Sequence, residues 1–414
     1  LVVLWLLDTQ AGLSALRGPA TWLLPIALLA SLASLVERLF FLEPPPVEQL
    51  SELAGTSRLL RGARLALAGL LALSLLVRFV GVDHEVEERA YRDEGTYWHH
   101  ATEINGGDVI RRSFVYPHLT YEAYAFALWS AQRLPGVSER VAGWWDVDEP
   151  LARDWLLLRS LVALLSALTV WPVFGIAWRI VGRGPLGVAG GVVAGLLLVF
   201  SPAFNDGSHL IISDVPAACL ATFSLLFVAG LLERERLRDY LLAGVFAGLA
   251  AAAKYPAGTV VVAVAAVWLC HRLGEWRGRE ERSARPSRLG LLWAGLASLA
   301  TFLAVMPSLF VYPGHALFGG RGIFFGVRQY GEGGWIGVVR ENDALYYLLR
   351  LAESFGWLAL AGGLVGALLL ERGERRRWWR MTPFPVAYFL LLVAMSMVVA
   401  RNAYPLLPIL AALL

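Results

Sequence analysis

The sequence predicts an all-α polytopic membrane protein, with about 10–12 transmembrane helices of roughly 20 residues each. Three observations carry this. The 414 residues are 57% hydrophobic and only 17% charged, whereas soluble domains carry about 25% charged and about 45–50% apolar residues. Long apolar runs recur along the chain. Between them arginines gather in clusters, as they do in cytoplasmic loops. The composition excludes a soluble enzyme, a disordered chain and a fibrous one. A net charge of +3 over the whole length also excludes a nucleic-acid-binding domain. Cys219 and Cys270 both lie in apolar runs and form neither a disulfide framework nor a metal-ligand spacing.

Taken in order, the runs 21–42, 63–82, 155–181, 186–204, 215–232, 289–311, 344–370 and 383–399 read as spans. Short apolar pieces stand at 1–7 and 403–414. The chain starts at Leu1 and stops inside an apolar run, so a fragment of a longer protein, truncated at its C-terminus, is expected. Residues 1–62 are expected to hold extra N-terminal spans and a cytoplasmic linker, and 63–414 the main membrane module.

Arginine placement sets the topology. Arg58, Arg61 and Arg64 precede 63–82, which therefore runs outward. Span 155–181 returns and ends at Arg179 and Arg183. The stretch 240–270 follows Arg234, Arg236 and Arg238 and precedes Arg272, Arg277 and Arg279. Both clusters are inside only if 240–270 crosses twice, with Lys254 at its outward tip. Each half is then about 14 residues, or ~21 Å, short of a ~30 Å apolar core. The tip is expected below the outer surface, in a cavity lined by protein or water. Two outer loops follow from this topology, 83–153 and 312–343. The first is rich in aromatics, and its segments 95–105 and 118–134 are expected to be interfacial helices.

Four places carry chemistry. Asp93-Glu94 follows the first outward span and precedes several aromatics. The pair reads either as solvated loop charge or as a general base with a second carboxylate fixing its geometry. Asp214 stands at the outer start of a helix, just before Pro216, and reads as an N-cap or an acid of the site. Neighbouring His209 reads first as a hydrogen-bonded loop histidine. Lys254 is the sole lysine; the other 35 of the 36 basic residues are arginine. An ionisable group at membrane depth is a functional candidate, and arginine would snorkel as well as lysine. Arg401, in a turn between two apolar runs, supplies a second outer cation. No P-loop, dinucleotide-binding glycine pattern, Gly-x-Ser-x-Gly or His-Glu-x-x-His occurs.

These blocks, in order, resemble the protein mannosyltransferase superfamily, the GT-C-fold glycosyltransferases of families 39 and 83. Span 63–82, Asp93-Glu94-x-x-Tyr97, Gly107-Asp108 and Tyr116-Pro117-His118-Leu119 are similar to that family's opening helix and first outer loop. Leu158–Leu165, the block from Ser208-His209 to Asp214-Val215-Pro216, and the Lys254-Tyr255-Pro256 turn are similar to its later motifs. Gln329-Tyr330-Gly331 and Tyr404 to Pro408 match more weakly.

The resemblance implies a GT-C bundle with a partly helical first outer loop, set in a bacterial inner membrane with its active site facing outward. It implies transfer of a hexosyl or pentosyl group from a polyprenyl-phosphate donor to a hydroxyl of a protein, lipid or glycan, with inversion. Asp93 would be the base, with Glu94 and Asp214 orienting the reactants. Lys254 and Arg401 would hold the donor phosphate, joined by Tyr97, His118 and His209. A phosphate leaving group calls for cations and one base. The residues leave open whether the carboxylates hold Mg or Mn. The alternatives are an inactive scaffold subunit and a secondary transporter relaying ions through Lys254 and Asp214. A transporter calls for an internal repeat of spans, and none is visible.

Overall fold

The computed structural model describes residues 53–84, 86, 92–107, 113–134, 143, 149–182, 184–276, 288–306, 308–332, 343–395 and 398–414. The expected spans at 1–7 and 21–42 lie outside the described residues, as do Asp108, Arg183, Arg277 and Arg279. The chain divides into two compact units, Leu1–Leu65 and Ala66–Leu414. The described part of the first, 53–65, is helical. All residues of the site lie in the second.

Every regular element among the described residues is helical. Among the described residues four stretches are long and apolar enough to cross a membrane: Arg58–Phe79, Pro150–Val181, Asp214–Leu231 and Tyr255–Trp276. The first lies in α1 (Leu53–Phe79). Within 83–153 come α2 (Arg92–Asn105) and α3 (Leu119–Arg133), packed on each other. They coincide with the two interfacial helices expected from the aromatic pattern. The second stretch is α4 (Pro150–Leu168) running into α5 (Val170–Val181). Next, α6 (Pro185–Val199) and α7 (Pro202–Ser208) form a pair bent by 61°.

The core is built around α8 (Asp214–Leu231). Of its membrane-length window 89% is buried, against 22% for α1. A helix apolar on all sides belongs in the middle of a bundle, and beyond Asp214 α8 is apolar except for Thr222 and Ser224. Its neighbour α9 (Leu237–Ala253) packs on α11 (Gly290–Val305) at backbone contact. Gly244 and Gly248, four apart, make this possible: a Cβ on either would fall 2.2–2.3 Å from a backbone oxygen of Ala294 or Ser298. Small residues at that spacing let membrane helices approach closely.

The stretch around Lys254 folds back on itself. α9 has 17 residues. Lys254 then turns into extended backbone, followed by a 3-10 turn, Tyr255–Val260, and α10 (Val261–Trp276). Pro256, lacking an N–H, cannot continue the ladder of α9. At the far end Arg272 of α10 pairs with Glu235 just before α9, so both arms return to one end of the bundle. The arms are longer than the ~21 Å expected of 14-residue halves.

After α11 come the short helices α12 (Ser308–Val311), α13 (Pro313–Phe318) and α14 (Ile323–Glu332). The stretch 344–370, expected to be one span, is sharply bent. α15 (Asp343–Phe355) and α16 (Trp357–Leu369) meet at 93°. Gly356 between them has φ of +80°, a conformation that favours glycine. The chain closes with α17 (Arg372–Met381), α18 (Pro383–Ala394), a 3-10 turn at Ala400–Ala403 and α19 (Leu406–Leu413). α18 has 12 residues, shorter than the span expected over 383–399.

Candidate active site

The start of α8, the end of α9, α2 and the 3-10 turn Ala400–Ala403 converge on one cavity of about 370 Å³. Asp93, Tyr97, Asp214, Lys254 and Arg401 line it together. Five of the eight residues singled out from sequence therefore share one site.

Asp93 lies in the first turn of α2 and reaches the cavity mouth. Its Oδ2 stands 2.5 Å from Arg401 Nη2, with 46% of the Asp93 side chain exposed and 23% of that of Arg401. Burial alone would lower the Arg401 pKa; the Asp214 and Asp93 carboxylates outweigh it and raise it instead. Deeper in, Lys254 Nζ donates to Asp214 Oδ1 and, at 2.9 Å, to Asn402 Oδ1. Both members of the Lys254–Asp214 pair are buried. Asp214 is the first residue of α8 and not its cap; Ser213 holds the cap position without a side-chain cap bond. The Ser213 Oγ instead accepts from Tyr97 Oη at 2.8 Å. Burial, then the neighbouring Tyr121 and Asp214, push the Tyr97 hydroxyl well above its usual pKa, so it stays a donor. Tyr97 and Tyr121, with ring centroids 5.1 Å apart, form an aromatic wall continued by Tyr116.

The turn carrying Arg401 and Asn402 is fixed from behind. Tyr388 Oη donates to the Asn402 carbonyl at 3.1 Å. Tyr404 packs against Gly207, where a Cβ would come within 2.3 Å of the ring.

Three residues expected at the site stand elsewhere. Glu94 is fully buried and does not line the cavity. It takes a two-pronged bond from Arg159 of α4, at 2.9 and 2.7 Å, and a third from the Ile211 N–H at 2.9 Å. Arg159 also donates to the carbonyls of Val82 and His84. The pair thus joins α2, α4, the exit of α1 and the approach to α8. Consecutive helical residues point about 100° apart, so Asp93 facing the cavity turns Glu94 into the core. His209 donates through Nε2 to the Arg78 carbonyl at 2.9 Å. The Arg78 guanidinium in turn binds Ser166, Val199, Asn205 and Leu198. His118 donates through Nε2 to the Ser113 carbonyl at 2.9 Å and stacks on Phe114.

Two residues of the cavity escaped sequence reasoning. Asn402 is a neutral neighbour of Arg401, and only the fold reveals it as an acceptor for Lys254. Arg321 is an exposed cation on the cavity wall, in the outer segment 312–343, and its carbonyl accepts from the Phe114 N–H at 2.7 Å. A cation in an outer loop was the available signal. No group of three or more His, Cys, Asp or Glu side chains suited to a metal occurs among the described residues. Asp93 and Asp214 each face a cationic side chain, so the arrangement offers a divalent ion no ready cage.

Residues 156–308 match the family described as dolichyl-phosphate-mannose-protein mannosyltransferase. No curated protein sequence matches the chain. Among solved structures, the fold is similar to ArnT from Cupriavidus metallidurans bound to undecaprenyl phosphate, with TM-score 0.57 and 18% identity, covering 84% of this chain and 58% of that one. The apo form of the same protein gives TM-score 0.55 over the same coverage and identity. The archaeal oligosaccharyltransferase AglB from Archaeoglobus fulgidus, in complex with an inhibitory peptide and a dolichol-phosphate, gives TM-score 0.52 and 12% identity, over 85% of this chain and 50% of that one. The chain thus spans about half to three-fifths of the length of the structures it resembles. The match to the mannosyltransferase family is confined to residues 156–308, and the helical architecture over 84–85% of the chain has the GT-C fold.

Proposed function

We propose that the cavity transfers a sugar from a polyprenyl-phosphate donor to an acceptor hydroxyl, with inversion at the sugar. The observation that carries this reading is the Asp93–Arg401 pair at the mouth of a cavity whose floor is the Lys254–Asp214 pair. One exposed carboxylate beside two or more cations suits this reaction. The acceptor oxygen attacks the anomeric carbon as its proton passes to the Asp93 carboxylate. The bond from that carbon to the phosphate oxygen breaks, and its electrons leave with the lipid phosphate. A phosphate of second pKa about 6 leaves without protonation if cations meet its charge.

Arg401 and Arg321 are the cations placed to receive that phosphate. Lys254 acts from behind them: held by Asp214 and Asn402, it keeps the Asp214 carboxylate oriented and adds positive field. Tyr97 and Tyr121 offer an aromatic face to the sugar. The volume of about 370 Å³ falls in the roughly 300–1,000 Å³ range of small-molecule sites. Support also comes from the similar structures, since one ArnT structure is described with undecaprenyl phosphate and AglB with dolichol-phosphate. Arg234 and Arg236 lie just before α9, Arg272 in the last turns of α10, and Arg376 and Arg377 on α17, all at the end of α8 away from Asp214. By the positive-inside pattern the cavity then faces away from the cytoplasm, outward from a bacterial plasma membrane.

The test is transfer of radiolabelled sugar from polyprenyl phosphate to endogenous acceptor in membrane vesicles carrying the protein. Label transfer that depends on the protein supports the reading; transfer equal to that of vesicles without it sinks the reading.

A further inference from the structure

A second cavity, of about 470 Å³, lies at the other end of α8. Its wall includes Leu232, just past α8, Glu275 of α10, and Arg376, Arg377 and Arg380 of α17. α8 has 18 residues, or ~27 Å at 1.5 Å per residue. The two cavities therefore stand about one membrane thickness apart, at opposite faces.

The charge of this second cavity is positive. Arg234 and the three α17 arginines line it, and Arg272 stands beside it. Against these five guanidinium groups are three carboxylates, Glu233, Glu235 and Glu275. Arg272 pairs with two of them, Glu235 and Glu275. Tyr240 Oη also donates to Glu235, at 2.8 Å. Five guanidinium groups against three carboxylates leave the site with a net positive charge.

The surroundings are apolar and exposed. Trp379 of α17 is 62% exposed and Trp276, next to Glu275, is 83% exposed. Leu368 and Leu369, at the end of α16, are also exposed. α17 is itself docked, since Trp378 Nε1 donates to the Leu413 carbonyl and Arg377 Nη1 to the Arg179 carbonyl. Tryptophan beside arginine is the pattern of a membrane interface, and basic pockets between helix ends suit anionic head groups.

We infer that this cavity binds the phosphate head group of an anionic phospholipid, in the leaflet opposite the candidate active site. The arginines of α17 take the phosphate oxygens through paired N–H donors. The acyl chains lie along Trp276, Leu368 and Leu369.

Native mass spectrometry of the full detergent-purified chain tests this. Phosphatidylglycerol, phosphatidylcholine and inorganic phosphate are added separately, then phosphatidylglycerol with excess inorganic phosphate. Wild type is expected to retain phosphatidylglycerol about tenfold better than phosphatidylcholine. The double substitution Arg376→Gln with Arg380→Gln should remove that preference, and Arg376→Lys with Arg380→Lys should retain most of it. Equal retention of the two lipids, or an unchanged preference in the glutamine variant, would overturn the proposal. Displacement of the lipid by millimolar inorganic phosphate would overturn it in favour of a free-phosphate site. If the glutamine variant elutes as aggregate, the comparison of the two lipids on wild type decides alone.

Discussion

The Arg401 guanidinium stands 2.5 Å from the Asp93 carboxylate, joining α2 to a turn near the far end of the chain. Neither side chain is fully enclosed. Both side chains line the cavity, so each partner is available to a ligand there. Replacing Arg401 with Gln should leave the fold intact, because its partner Asp93 is nearly half exposed and can be solvated once the pair is lost. Transfer should fall by about 10²–10³-fold, the usual effect of losing one group that stabilises developing charge. Single-turnover rates in detergent, with thermal unfolding as the control, check this.

Glu94 should behave in the opposite way. It and Arg159 are both buried, and removing one partner of a buried pair strands the other charge. Glu94→Gln is expected to cost about 3–5 kcal/mol of stability, read as loss of folded protein in fluorescence-detected size exclusion. Whatever folds should retain most of its turnover per molecule. A normal yield with abolished turnover would return Glu94 to the chemistry.

Lys254→Arg is expected to be harmful. The Lys254 ammonium fits between Asp214 and Asn402 in a buried space, and the larger planar guanidinium does not share that geometry. Donor binding, measured by competition with polyprenyl phosphate, should weaken by at least tenfold. Lys254→Met should be worse still, since it leaves the Asp214 carboxylate buried without its cation. Unchanged donor binding in Lys254→Met would reduce the residue to a membrane anchor.

His209 gives a pH dependence. Burial, mainly, holds its pKa below the usual histidine value, and the neutral ring donates to the Arg78 carbonyl. The unfolded chain therefore binds a proton at a higher pH than the folded one. This contribution to stability is complete above the ordinary histidine pKa of about 6.5 and is lost as pH falls below it towards the folded value. Wild type should be more stable than His209→Gln at pH 7.5, and the gap should narrow at pH 5. Melting curves of both proteins across that range measure it.

Much of this was legible in the sequence, for identifiable reasons. Hydropathy and arginine placement locate α4 to α9, and the flanking arginines around 240–270 demand the hairpin that carries Lys254. Aromatic density marked α2 and α3. The bend at Gly356 was not legible, because one glycine inside an apolar run leaves mean hydropathy unchanged. The separate environments of Asp93 and Glu94 were hidden for a different reason. An acidic dipeptide reads as one feature until the helix carrying it fixes which side chain faces the cavity. His209 is the hydrogen-bonded histidine expected of it, but its acceptor, the Arg78 carbonyl, is remote in sequence, and the bond from His118 to Ser113 is one that no spacing reveals. Asn402 and Arg321 depend on contacts between elements far apart in the chain.

The most direct measurement of the central claim is sugar transfer by Asp93→Asn in vesicles, set against wild type at matched protein level. Asparagine keeps the shape and removes the proton acceptor. Transfer should fall by about 10²–10⁴-fold, the range for loss of a general base, while donor lipid binding changes little. Turnover equal to wild type would contradict the account, because no other exposed carboxylate among the described residues lines that cavity.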